Sequence, residues 1–522
     1  MKTKRAILFF LSWLLLLTQQ AVPAVRLSSN GNTENVRVRE NARDLIRAAL
    51  EAMGGEAKIR ALKSIQFEGI GHIFAVEQSE RPEGPWIVYY LQTSELRDLT
   101  NQRVRAAPQL KHSQFPQWNG ATQIFAGDIS AFERNGKFFP GTYLHVETEK
   151  RKLALAPEQV LLRALDAQDL RAEKDVLMQN VSQKVVKFTW NKTPVTIYFN
   201  AGTNLPTAVE TLNSSPYDYF WGVWGDYTER TFYTYWTLEK GGIRYPHQWD
   251  AERLNAPYSS FTVTKLQLDV PVEEKDFSIP DDVRQKFAAQ PKPEKIEDIP
   301  LGRPDRPAKE IAPGVVKLPG RWDVAVVRQD DGIVIIEAPI SSGYSAKVLE
   351  EAKRRYPGLK VKAVITTSDA FPHLGGVREY AAQGIPVYAL DLNRPILERL
   401  LAAPHAFQPD ALENKPRKAI FKIVSGKTSL GAGANRLELY PLRTESGERM
   451  MMVYFPEHRL LYASDLVQKS LNGSFFMPQY LSEVMQAAGR EKLMVGNVFA
   501  MHTDLTSWTE LTGAVEKQIK GN

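Results

Sequence analysis

The chain has 522 residues, 43% of them hydrophobic and 24% charged, with 33 glycines and 32 prolines. This composition excludes collagen-like, low-complexity and mainly disordered chains and suits roughly two to four domains. Its formal charge is +6, but Lys2, Lys4 and Arg5 open the chain and leave only about +3 for the rest, too weak and dispersed to recruit nucleic acid.

Those three cations are followed by an apolar run from Ala6 to Leu17 and by small residues at Ala21 and Val22-Pro23-Ala24. The pattern predicts a secretory leader over 1–24, cut near Ala24, and hence an exported protein, periplasmic or extracellular. An uncleaved anchor is the alternative, but the run falls short of the ~20 residues a spanning helix needs. No later stretch reaches 18 uninterrupted apolar residues, so no transmembrane span is expected in the mature chain. The sequence contains no cysteine, which removes disulfides, thiolate ligands and a lipid-anchored cysteine.

Beyond a polar stretch at 25–39, Leu45, Ile46, Ala49, Leu50 and Met53 share one helical face, which stops at Gly54-Gly55. The period then changes to two at Ile65 and Phe67. The runs Val185 to Trp190 and Val195 to Phe199, joined by Asn191-Lys192-Thr193, predict a β-hairpin. Val160, Leu161, Ala164 and Leu165 mark a helix within Pro157 to Leu165. From Tyr217 to Trp236 ten of twenty residues are aromatic, which suits either a hairpin packed on the opening helix or a groove for an apolar or sugar ligand.

Six prolines fall between Pro291 and Pro313, and proline's missing donor predicts a linker there, over 287–311. The pattern then becomes that of a layered α/β fold, with strands at Asp323 to Val327, Gly332 to Ile336 and Val361 to Ile365 and a helix at Ala346 to Arg355.

The strand from Val361 runs into Thr366-Thr-Ser-Asp-Ala-Phe-Pro-His-Leu-Gly-Gly376. With the opening hairpin through Asp331-Gly-Ile-Val-Ile-Ile-Glu337, Leu460-Leu-Tyr-Ala-Ser-Asp465 and Val498-Phe-Ala-Met-His502, this order resembles the metallo-β-lactamase fold superfamily over about 312–522. The resemblance implies an αββα sandwich. In that superfamily the loop reads Thr-His-x-His-x-Asp-His-x-Gly-Gly, so His373 keeps the last ligand while Ser368, Ala370 and Pro372 replace the others. A later family histidine falls at about Arg443, the bridging carboxylate at Asp465, and the final histidine at His502.

One metal position is thus lost as a set, at Ser368, Ala370 and Arg443, whereas His373, Asp465 and His502 belong to the other. Two imidazoles and a carboxylate suit one zinc or other divalent transition metal, and Arg443, which cannot ligate, would orient an anionic substrate group. Equally open is an empty site in which the two histidines only hydrogen-bond. Asp369 is a candidate substitute carboxylate. A Ser368, His373, Asp465 hydrolase lacks the Gly-x-Ser-x-Gly elbow.

The expected architecture is therefore α+β in two domains: an antiparallel β-rich half-barrel with helices over 25–286 and the αββα sandwich over 312–522. In pattern alone the first resembles lipoprotein-carrier domains, which implies a concave apolar face able to hold an acyl chain. Two functions follow. One is a metal-dependent hydrolase with at most one ion, in which Asp465 and Arg443 serve catalysis and His373, Asp465 and His502 hold the metal. The other is an inactive sandwich in a protein that binds or carries a small-molecule or lipid-like ligand through its N-terminal domain. Oligomeric state is not legible.

Overall fold

The computed structural model describes residues 41–520, apart from 80, 113–114, 445–448 and 470–472. The leader expected over 1–24 lies outside the described residues. Helix Ala42–Ala52 starts where the Asn41 side chain accepts the Arg43 amide, and it buries Ile46, Ala49 and Leu50 completely. The predicted hairpin is Val181–Trp190 with Thr193–Asn200. Its turn residues Asn191 and Lys192 take φ of 44° and 67°, the mirror-image turn that matches strand twist.

Among the described residues, sixteen strands between Ser64 and Leu268 join in one sheet, antiparallel throughout. It is curved enough that Phe67, Phe125, Phe188, Phe199 and Tyr245, from strands spread along its length, share one core with Leu50, Val160 and Leu161 of the helices. The chain's own helices Ala42–Ala52 and Val160–Asp166 therefore fill the concave face. The apolar stripes of both helices belong to that shared core.

Two further sheets follow. The first has seven strands, antiparallel from Lys309 to Ile336 and then parallel through Val361–Thr366, Val387–Leu390 and Phe421–Val424. The second has six strands between Thr428 and Ser507. Val334, Ile365, Val453 and Phe499 belong to the core between the two sheets. Helices Ser342–Arg355 and Val377–Gln383 pack on the outer face of the first sheet, and Pro478–Arg490 and Trp508–Ile519 on that of the second. The layering is α-β-β-α; the alternation of helical and strand patterns after the linker predicted a layered α/β fold without its order of layers.

The proline-rich stretch forms no helix or strand between Ala288 and Lys309, but it is fastened down. Ile296 is buried; its amide donates to the Pro216 carbonyl (2.7 Å) and its carbonyl accepts from the Ser341 hydroxyl (2.9 Å). The aromatic segment divides its work. Tyr233 and Trp236 face the helices of the curved sheet, whereas Val223, Trp224 and Tyr227 enter the core of the sandwich beside Phe371 and Leu374. Consistent with these shared cores, the described residues pack as one compact unit. No helix among the described residues is long and apolar enough to cross a membrane.

Candidate metal centre

Strand Val361–Thr366 is buried between two parallel neighbours and ends where the backbone must turn out of the sheet. The turn is a short 3-10 segment, Phe371–His373, followed by Gly375 and Gly376 at the start of helix Val377–Gln383. Both glycines are required by close approach: a Cβ at Gly375 would lie 2.5 Å from the Ile340 carbonyl, and one at Gly376 would collide with the Ser345 hydroxyl. The tight seat fixes His373, whose side chain is 5% exposed.

Asp465 follows strand Leu460–Tyr462, and His502 follows the neighbouring parallel strand Asn497–Ala500. Although 92 and 37 residues separate the three in sequence, one ligand atom from each of His373, Asp465 and His502 lies within 4.8 Å of the others. His502 Nε2 is 2.9 Å from Asp465 Oδ1, and His373 Nδ1 is 3.7 Å from Asp465 Oδ2. The Gln468 amide donates to Asp465 Oδ1 at 2.7 Å, and the edge of Trp322 meets the His373 ring at 5.4 Å between centroids. The cluster opens to solvent through His502, whose side chain is 25% exposed.

Burial pushes the His373 imidazole down to about 4, with Asp465 opposing and His502 adding to the fall. The ring is therefore neutral at neutral pH and keeps a lone pair. Burial pushes the Asp465 carboxyl up, but the two imidazoles and Gln468 outweigh it and hold the group below the usual carboxylate range. His373 Nδ1 is buried with no hydrogen-bond partner. An orphaned imidazole nitrogen beside an ionised carboxylate and a second imidazole is the donor set that a divalent ion uses, and the residues fit one.

Arg443 does not join this group. It is 47% exposed and meets the Asp391 carboxylate at 3.0 Å, so the guanidinium expected to orient an anionic substrate group lies outside the His373, Asp465 and His502 cluster. The reason lies in the hairpin: Arg443 and Arg449 oppose each other directly across Leu437–Arg443 and Arg449–Phe455, and two guanidinium groups on one face need separate carboxylates. Arg449, 1% exposed, takes Asp369 at 3.3 Å, which removes Asp369 as a substitute ligand. Ser368 accepts the Ala370 amide within its own loop (3.0 Å) and shows no bond to His373, so the serine-hydrolase arrangement is not built.

Sequence reasoning passed over Glu337. It is wholly buried, its pKa is raised by burial to about 7 against hydrogen bonds from Thr367 and Tyr462, and the Asp465 charge adds to the rise. Tyr462 donates to it at 3.0 Å, and Ser464 donates to the Thr367 carbonyl at 3.1 Å, tying the Asp465 turn to the end of the central strand. A lone acid ending the unbroken apolar run Gly332–Ile336 was the signal available for it. Nothing local marked Trp322 or Gln468.

By sequence the chain matches no family model and no curated protein. In three dimensions its C-terminal part resembles solved metallo-β-lactamases and an alkylsulfatase. The FIM-1 metallo-β-lactamase of Pseudomonas aeruginosa in its mono-zinc form is 15% identical over 43% of this chain and 97% of its own, with a TM-score of 0.32. A metallo-β-lactamase from Pontibacter korlensis is 16% identical over 42% of this chain and 98% of its own, with a TM-score of 0.32. The inverting sec-alkylsulfatase Pisa1 from a Pseudomonas species is 13% identical over 42% of this chain and 41% of its own, with a TM-score of 0.31. The α-β-β-α assignment itself rests on the strand order and cores given above.

Proposed function

We propose that the protein is an exported, two-domain, metal-dependent hydrolase that works with a single divalent ion, zinc or another transition metal, held by His373, Asp465 and His502. The observation that carries this reading is the convergence of three ligand atoms within 4.8 Å around a buried, unpartnered imidazole nitrogen. A bound ion supplies Lewis acidity at a substrate oxygen and activates water for attack. The chain's own residues set the rest. Gln468 and His502 orient Asp465, the buried Trp322 packs against the His373 ring, and the partly exposed His502 marks the side from which substrate and water enter.

The test is elemental analysis and calorimetric zinc titration of purified protein. At most one equivalent per chain is expected, with uptake abolished by His373→Ala and by His502→Ala, because neither Ala370, Pro372 nor the ion-paired Arg443 can replace a lost ligand. Two tightly held equivalents would sink the single-ion reading, and none would sink the metal reading altogether.

A further inference from the structure

A groove of about 950 Å³ lies outside the His373 cluster, between helix Tyr143–Ala154, the hairpin turn at Asn191-Lys192 and the segment around Tyr217. Trp221, Tyr227 and Tyr258 line it. The Trp221 ring is tilted 36° to Tyr227 at 5.4 Å and stands edge-on to Tyr258 at 5.5 Å. The guanidinium of Arg253 lies 3.8 Å from the centre of the Tyr258 ring and 4.4 Å from that of Trp221. These rings present an apolar surface with room for a drug-sized ligand.

The charges of the groove are unequally committed. Arg253 is neutralised by Glu229, and Asp218 accepts the Phe220 and Trp221 amides. Arg151 is different: it is half-buried, donates one hydrogen bond to Asn213 (2.9 Å), and forms no ion pair among the described residues. Lys192 and Lys292, also lining the groove, are exposed and likewise have no ion pair among those residues. Both Arg151 and Arg253 act on the Tyr227 and Tyr258 phenols, which burial raises and the two cations pull back, so both guanidinium groups bear on the same wall. A guanidinium removed from much of its water, with most donors unspent beside an aromatic surface, is complementary to a desolvated anion.

We infer that this groove binds an organic anion with an apolar body, the body against Trp221, Tyr227 and Tyr258 and the acidic head at Arg151. The site is separate from the metal centre, since none of His373, Asp465 and His502 lines it. Its wall nonetheless continues to the catalytic loop, because Trp221 also packs on Phe371 at 5.5 Å.

The full chain titrated with anilinonaphthalene sulfonate, followed by probe fluorescence, tests this. One saturable site is expected, displaced by dodecanoate and not by dodecyltrimethylammonium. Arg151→Gln is expected to weaken the probe about tenfold, the loss of one charge-assisted contact. Should that variant melt earlier than the parent, Tyr217→Ala keeps the test alive, since a ring 42% exposed can be removed without disturbing the core and should also weaken the probe. Zinc should leave probe affinity unchanged. Non-saturable binding, equal displacement by the ammonium amphiphile, indifference to both substitutions, or competition by zinc would each overturn the inference.

Discussion

Replacing Arg449 with methionine is expected to destabilise the protein by about 3 to 5 kcal/mol, the cost of stranding the buried Asp369 carboxylate without its cation. Arg449 is 1% exposed and spends its donors in three directions. Its Nε meets Asp369 at 3.3 Å, its Nη1 donates to the Leu392 carbonyl at 3.1 Å, and its Nη2 donates to the Glu77 carbonyl and lies 3.4 Å from the Glu77 carboxylate. Glu77 is itself 3% exposed and also pairs with Arg399, so the network ties the curved-sheet half of the chain to the sandwich. Burial pushes the Asp369 carboxyl up while the Arg449 guanidinium and backbone amide pull it down, and the methionine variant keeps only the amide against the burial. Urea unfolding of Arg449→Met, and of the same variant carrying Asp369→Asn, measures both sides: the second change should recover part of the loss, as expected for groups in one network. A loss below about 1 kcal/mol would show that the buried charges are not coupled as the contacts indicate.

Trp224→Ala should cost a similar amount, about 3 to 5 kcal/mol, because it empties the volume of an indole in a packed core. Trp224 is 1% exposed, and its ring lies 5.6 Å from Phe371, two residues before His373. Its neighbour Val223 stands where a Cβ on Gly375 would fall, 2.5 Å from the Val223 methyl. A cavity at this point therefore loosens the loop that seats His373, and zinc affinity should fall together with the melting temperature. Trp224→Phe, which keeps most of the apolar volume, should recover much of both. Full zinc affinity in a clearly destabilised Trp224→Ala protein would separate core packing from ligand placement and refute the proposed coupling.

The two variants probe what local sequence could not reveal. Helix Ala42–Ala52, the hairpin turning at Asn191-Lys192, helix Val160–Asp166 and the strand leading to His373 were all legible, because each is dictated by short-range physics: a repeat of buried side chains, a turn that needs positive φ, a glycine pair that needs close approach. The three residues of the candidate metal centre were legible for another reason, since strand ends on one edge of a sandwich bring distant motifs together once their order is recognised. The pairing of Arg443 with Asp391 was not legible, because the sequence contains no record of the register that sets Arg443 opposite Arg449. Tertiary structure alone settled where the aromatic segment goes. Its residues look alike along the chain, yet Tyr233 faces the helices of the curved sheet and Trp224 enters the sandwich core. The division depends on which apolar surface lies within reach after folding, a contact over more than a hundred residues that no periodicity encodes. The same is true of Glu77 and Arg449, 372 residues apart and joined only in the folded chain.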